Sequence, residues 1–225
     1  MQHNFEDKFG RFLMMSIFSG LCMVQVLHTL NAFDNAEKDF LWFLDICSKL
    51  CNALFLSLIF YYTVDRLPSQ KSASGAIPRI VAISGTFLMM FLVVLPPEQI
   101  GPIRQVASSL LIIVGASLSS WCLFHLGRSF SIMATARELK TRGTYAIVRH
   151  PLYGAEVLMM AGVMLGHGSP FAFALGALWL SLQVGRARFE EGILRETFPE
   201  YDSYALRVPM LIPLAKSGWW TSAKT

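Results

Sequence analysis

Long apolar runs broken by short polar loops set the pattern of this chain. A helix needs ~20 mostly apolar residues to cross a bilayer core. Four runs approach that size, at residues 12–33, 46–64, 80–95 and 103–126, with the third the shortest and bracketed by Pro78 and Pro96. Two shorter runs follow at 152–166 and 171–184, separated by Gly168, Ser169 and Pro170. Their spacing predicts a tight helical hairpin whose helices tilt little or stop short of one interface. The expected fold is all-α, a polytopic transmembrane bundle of about five to six spans ending in a helical hairpin. Residues 1–126 read as N-terminal membrane helices, and residues 127–225 as a C-terminal region holding the hairpin and a polar tail. The first run is too long for the apolar core of a signal peptide and lacks a small-residue cleavage site, so it reads as a retained span.

Composition agrees with a lipid solvent. Apolar residues make up 54% of the 225 and charged ones 15%, against roughly 25% charged in a soluble domain. The formal net charge is +4, and its distribution explains it. With a cytosolic N-terminus and six crossings, 16 Lys and Arg residues fall inside, from Lys8 and Arg11 through Arg66, Lys71 and Arg79 to Lys216 and Lys224. Only Lys38, Lys49 and Arg104, 3 in all, fall outside, where the first loop is acidic through Asp34, Glu37 and Asp39. That bias follows the positive-inside rule, and the positive face suits anionic inner-leaflet lipid rather than nucleic acid. The expected location is a multi-pass integral membrane protein with both termini cytosolic. Cys22, Cys47, Cys51 and Cys122 sit in apolar stretches as small buried side chains, and neither they nor the five His show metal-ligand spacing.

In this topology the polar segments 127–150 and 186–213 meet at the cytosolic end, flanking the hairpin. The first holds Gly143, Tyr145, Arg149, His150, Pro151, Leu152 and Tyr153. Pro151 suits a first helical turn, which places Arg149, His150 and Tyr153 around a helix N-terminus able to hold an anionic group. The competing reading is a helix start at a lipid interface, with Tyr153 as aromatic anchor. The second segment holds Arg186 and Glu190, one helical turn apart, beside Glu191. Here the bland alternative is an exposed ion pair worth ~0.3–0.5 kcal/mol. Phe198, Tyr201 and Tyr204, followed by Val208, Pro209 and Pro213, predict a short amphipathic helix and an extended tail. That tail either covers a cofactor or rests on the headgroups. Four smaller features stand out. Glu156 is an ionisable residue one turn into the hairpin. Gln25 and His28 read as helix–helix hydrogen bonders inside the first run. Gly162 and Gly166 permit close packing within the hairpin. Residues 69–75 read as an exposed linker.

The runs Gly-x-Tyr-x-x-x-Arg-His-Pro-x-Tyr (143–153), Arg-x-x-x-Glu-Glu (186–191) and Phe-x-x-Tyr-x-x-Tyr with its following prolines (198–213) occur in this order. Together they resemble the isoprenylcysteine carboxyl methyltransferase family and its bacterial relatives, integral membrane enzymes that use S-adenosylmethionine. The resemblance covers roughly residues 126–213. It implies a cytosolic cofactor pocket, and for a bacterial member the inner membrane. It implies that Tyr145, His150, Pro151, Leu152 and Tyr153 bind the cofactor, with Arg137, Glu138, Leu139 and Lys140 contributing largely through their backbone. Glu190 would hold the cofactor's polar groups, and Arg186 would face a lipophilic methyl acceptor.

The physical chemistry of such a transfer is compatible with these residues. Displacement at a sulfonium needs alignment above all, a carboxylate and aromatic faces for the cation, and a cation or helix N-terminus for the methionine carboxylate. Arg186 suits an anionic group on the acceptor, but its guanidinium stays protonated and cannot act as base. Membrane sterol reductases, which share a similar C-terminal signature and use NADPH, are the alternative, with Arg137, Lys140 and Arg142 as phosphate-binding cations. A non-enzymatic membrane subunit is the third possibility. Gln25, His28 and Gln183 are too few to line a transport path, and no Gly-x-Gly-x-x-Gly or Walker loop is present.

Overall fold

The computed structural model of the chain describes residues 2–34, 38–93 and 95–213. Glu37, Lys216 and Lys224 lie outside the described residues, as do the side chains of Lys8, Arg11 and Asp34. Among the described residues seven α-helices run in order: α1 Gln2–Asp34, α2 Phe40–Val64, α3 Ala76–Phe87, α4 Pro102–Leu126, α5 Pro151–His167, α6 Pro170–Thr197 and α7 Tyr201–Arg207. Two two-residue strands, β1 Lys71–Ser72 and β2 Thr135–Ala136, pair antiparallel. The chain is a membrane protein whose described residues are mostly helical, with almost no strand. Among the described residues three helical stretches are long and apolar enough to cross a bilayer: Met14–Phe33, Phe40–Val64 and Pro102–Ser129.

The third apolar run behaves differently from the others. Its α-helix is 12 residues long and passes into a 3-10 segment, Leu88–Val93. A 3-10 turn has poorer hydrogen-bond geometry and seldom extends far. The Gly85 carbonyl there also accepts a hydrogen bond from Trp179 Nε1 of α6 at 2.8 Å. That contact ties α3 sideways to α6.

Local chemistry fixes the helix ends. Asp39 caps α2 by accepting from the Trp42 amide at 2.7 Å, an arrangement that satisfies an otherwise orphaned donor. Pro102, Pro151 and Pro170 each stand in a first helical turn, where the missing amide costs nothing. Gly168 closes α5 in the left-handed region at φ 86°, and Ser169 then caps α6. The two hairpin helices are therefore separated by a two-residue turn, as the spacing predicts.

The glycines inside the hairpin pack against a different helix from the one expected. A Cβ at Gly162 would stand 2.8 Å from Ser108 O and 2.9 Å from Ile112 N, both on α4. A Cβ at Gly166 would meet Ser108 Oγ at 2.6 Å, and one at Gly115 would collide with the backbone of Met159. The small-residue face thus joins α5 to α4, and Ser108 Oγ donates to Gly162 O across it at 2.8 Å. Close backbone approach through small residues is how helices associate where lipid removes the hydrophobic drive. α6 packs mainly on α3 instead, and space remains between α5 and α6 away from the turn.

Connections sort to two ends. The α1–α2 link, the start of α4 and the α5–α6 turn share one end: Trp42 Nε1 donates to Ala32 O, Glu98 N to His167 O and Arg104 to Gly168 O. At the other end the expected linker at 69–75 is built into the structure. Gln70 N and Ala73 N donate to Ala136 O and Ala134 O around the β1–β2 pairing. The polar segments 127–150 and 186–213 gather at this second end.

Overpacking the α4–α5 seam tests this arrangement. Gly162→Leu is expected to cost at least about 1–3 kcal/mol, read as a lowered melting temperature in detergent. Gly154→Ala, with nothing within 4 Å of the added carbon, should leave it unchanged or slightly raised.

Candidate active site

The end of the molecule that carries the polar segments is organised around Glu191. This α6 carboxylate is only 5% exposed. Its Oε1 accepts from Arg149 Nε at 2.8 Å and Nη2 at 2.7 Å, with His150 Nε2 at 3.3 Å. Its Oε2 accepts from Arg195 at 3.1 Å. Burial alone would raise its pKa, but the hydrogen bond and charge of His150, and then Arg149, lower it to about 2. Arg149 Nη1 also donates to Ala205 O and Val208 O at 2.8 and 2.7 Å. The amides of Arg149 and His150 donate to Pro209 O and Met210 O. The predicted tail therefore runs as an extended segment against residues 149–150. Arg149 holds that tail and α6 in place instead of presenting a free cation at the α5 N-terminus.

With Arg149 and Glu191 so engaged, His150 and Glu190 face a cavity. His150 is buried and stacks on Tyr153, with ring centroids 5.5 Å apart and planes 7° from parallel. Tyr153 Oη donates to Glu190 Oε1, and His150 Nδ1 lies 3.8 Å from Glu190 Oε2. The Arg186 guanidinium sits 5.0 Å from the centroid of the Tyr153 ring. It is not ion-paired to Glu190 in an exposed turn. It is 7% exposed, and its Nη1 donates to Gln183 Oε1 at 2.8 Å. Gln183 Nε2 in turn donates to Glu156 Oε2 at 2.7 Å, so Glu156 reaches this network rather than an interface. Two of these contributors, Gly85 and Gln183, escaped sequence reasoning as site residues. A Cβ at Gly85 would come within 2.8 Å of Arg186 Cδ, so glycine leaves room for Arg186. The readable signal for Gln183 was a polar residue, three before Arg186, in an apolar run.

The cavity holds about 420 Å³ and is lined by Arg137, Glu138, Leu139, Lys140, Tyr145, His150, Leu152, Tyr153, Arg186 and Glu190 among others. Of the residues that the resemblance assigns to the cofactor or acceptor, all but Pro151, which starts α5, line this space, while Arg142 does not. Arg137 and Lys140 are occupied: Arg137 donates to Leu67 O and Lys140 pairs with Glu138 at 2.8 Å. Tyr204 Oη donates to Tyr145 O at 2.6 Å. Burial pushes the Tyr145 and Tyr204 phenols up, the latter to about 12, so both remain neutral.

Buried polar atoms around this space lack protein partners among the described residues. They are Arg186 Nε, Ser131 Oγ, Thr135 Oγ1 and Tyr201 Oη, and all four residues line the cavity. Such groups are costly unless something hydrogen-bonds them. A volume of this size suits a small-molecule ligand. A carboxylate, a buried guanidinium, neutral phenols and unmatched hydroxyls fit a polar, zwitterionic cofactor such as S-adenosylmethionine. Among the described residues, no group of three or more His, Cys, Asp or Glu side chains is placed to hold a metal ion.

The charge knot behind the cavity has a definite pH signature. With the Glu191 pKa near 2 in the folded protein and its ordinary value of 4.5, its stabilisation is full above about pH 4.5. It is lost as pH falls from there toward 2. Glu191→Gln should cost about 3 kcal/mol at pH 7, since Arg149 loses its buried counter-charge. The gap in melting temperature between variant and parent should narrow between pH 5 and 3. A gap independent of pH would show that Glu191 is not the ionised centre.

Comparison with known proteins places this site in context. Residues 103–201 match the family described as phospholipid methyltransferase. A nickel-cobalt-cadmium resistance protein of Alcaligenes xylosoxydans xylosoxydans is 34% identical over 95 residues, 41% of this chain and 42% of that protein. A protein-S-isoprenylcysteine O-methyltransferase of Arabidopsis thaliana is 31% identical over 110 residues, 46% and 56% of the two chains. A cobalt-zinc-cadmium resistance protein of Cupriavidus metallidurans is 31% identical over 106 residues, 44% and 46%. The chain spans about half the length of these relatives. Residues 103–201, which hold nearly all of α4, the hairpin and Glu191, are thus similar to the phospholipid methyltransferase family, and an isoprenylcysteine methyltransferase is among the proteins this part of the chain resembles.

Proposed function

We propose that this chain is a membrane-embedded, S-adenosylmethionine-dependent methyltransferase acting on a lipophilic small-molecule or prenyl-type acceptor. One observation carries the reading. A single cavity joins a polar end at His150, Tyr153, Arg186 and Glu190 to an apolar stretch between membrane helices at Phe55, Ile59, Met159 and Met160. A polar cofactor and a greasy acceptor can meet only in a space with both characters.

The cofactor, when bound, supplies a methyl group on a positively charged sulfur. Glu190, fixed by Tyr153, provides the negative charge that a cation beside it requires. Tyr153 itself already carries His150 and Arg186 against its ring, so its hydroxyl and its packing, rather than an open face, are its contribution. The backbone of Arg137, Glu138, Leu139 and Lys140 borders the same end, held by the β1–β2 pairing. Arg186, which lines the cavity and whose Nε has no partner among the described residues, orients an anionic or electron-rich acceptor. Its position is set by Gln183 and Glu156. Residues 127–225 then form the catalytic half and residues 1–126 the acceptor-side wall. The hairpin helices complete the span count of about five to six, and the site end faces the cytosol by the charge bias. A bacterial inner membrane suits this arrangement.

The reductase alternative is weakened by the same geometry. Two of the three cations that would hold a 2′-phosphate, Arg137 and Lys140, are committed to Leu67 O and Glu138.

Calorimetry on detergent-purified protein separates these readings. S-adenosylmethionine and its demethylated product should bind in the micromolar range, with at least about tenfold loss in Glu190→Ala and no heat from NADPH. Binding of NADPH alone would replace the proposal with the reductase. Arg186→Lys should retain cofactor binding and lower acceptor turnover, because lysine cannot keep the stacked, forked contacts.

A further inference from the structure

The cavity does not end in hydrocarbon. Beyond its apolar stretch it is lined by Gln25 and His28 of α1 and Asn52 of α2. Gln25 and Asn52 bond each other at 3.0 Å, and Gln25 donates to Lys49 O at 3.2 Å. These contacts join α1 to α2, the role expected of polar residues in membrane helices. His28 has no hydrogen-bond partner among the described residues. Its side chain is exposed, and it lines the cavity beside Val24 and Met90, which are also exposed. A polar ring without a partner at the end of an apolar cavity suits hydrogen bonding to a bound molecule.

The distance from the reactive end follows from helix geometry. Phe18 packs in the same cluster as Ile132 and Leu152, and Ile132 O accepts from Arg186. Phe18 also lines the cavity and marks its nearer part on α1. His28 lies ten residues further along α1, which at ~1.5 Å per residue is ~15 Å away. Val163, the last α5 residue to line the cavity, stands ten residues beyond Tyr153, again ~15 Å. The two walls give the same length.

We infer that the far end of this cavity, at His28 with Gln25 and Asn52, is a second recognition site for the acceptor. The acceptor class it selects is a long amphiphile with an anionic head at Arg186, an apolar stretch of ~15 Å, and a hydrogen-bonding group such as a hydroxyl or carbonyl beyond it. The site would bind such a molecule in preference to one ending in plain hydrocarbon. This inference rests on the proposed function for its reactive end, while the polar far end stands on its own geometry.

The test compares tetradecanoate with its ω-hydroxy derivative, titrated into detergent-purified full-length protein with the demethylated cofactor product present. The ω-hydroxy compound should bind about tenfold more tightly, the effect of one hydrogen bond made in a dry site. His28→Leu should erase the preference, and His28→Asn should keep most of it, with melting temperatures recorded for both. Equal binding of the two probes to the unmodified protein would overturn the inference, as would no binding of either, or a preference that survives His28→Leu. The first comparison uses no variant, so a misfolded mutant cannot shelter the idea. If the cofactor product fails to bind yet the preference persists, the methyltransferase reading falls and the polar subsite stands.

Discussion

A buried carboxylate held by two cations and an imidazole is the constraint on which this site depends. Glu191 brings together α6, the residues just before α5 and, through Arg149, the C-terminal tail. Taking such charges out of water is expensive unless each hydrogen-bonding position is matched. Here the match is nearly complete, and it leaves few alternative arrangements. The neighbouring Glu190 inherits its direction from that arrangement: with one carboxylate of the pair locked behind, the next residue on the helix points elsewhere, into the cavity.

Lipid changes the terms on which the rest is built. Without a hydrophobic force between helices, α4 and α5 rely on backbone proximity at Gly115, Gly162 and Gly166. That seam sets α5 against α4 while α6 packs mainly on α3, and residues of both hairpin helices line the cavity. Gly85 repeats the device on α3, where the missing side chain leaves room for Arg186.

Much of this was legible in the residues, for identifiable reasons. Apolar run length carries the membrane helices directly, and a proline or glycine at each turn marks the hairpin ends. The motifs at 143–153 and 186–191 pointed to residues that the fold gathers around one cavity, because each polar residue there has a local helical or turn context. What stayed hidden depends on contacts across sequence. Nothing near Arg149 reveals that its charge is spent on Glu191 and two tail carbonyls. The loop at 69–75 looks like a linker because its strand partner lies past two further helices. Gly162 and Gly166 show that a helix packs closely there, but not which helix. Spacing describes a face; the rest of the chain decides what meets it.

The extended tail has a consequence for how the protein is made. The amides of Arg149 and His150 find their acceptors at Pro209 and Met210, near the end of the described chain. The described membrane helices are all synthesised before those acceptors exist. They can therefore insert while the polar end of the cavity is still open, and the segment that closes it is translated after them. Membrane integration and the maturation of the site are separate events, ordered by the direction of translation.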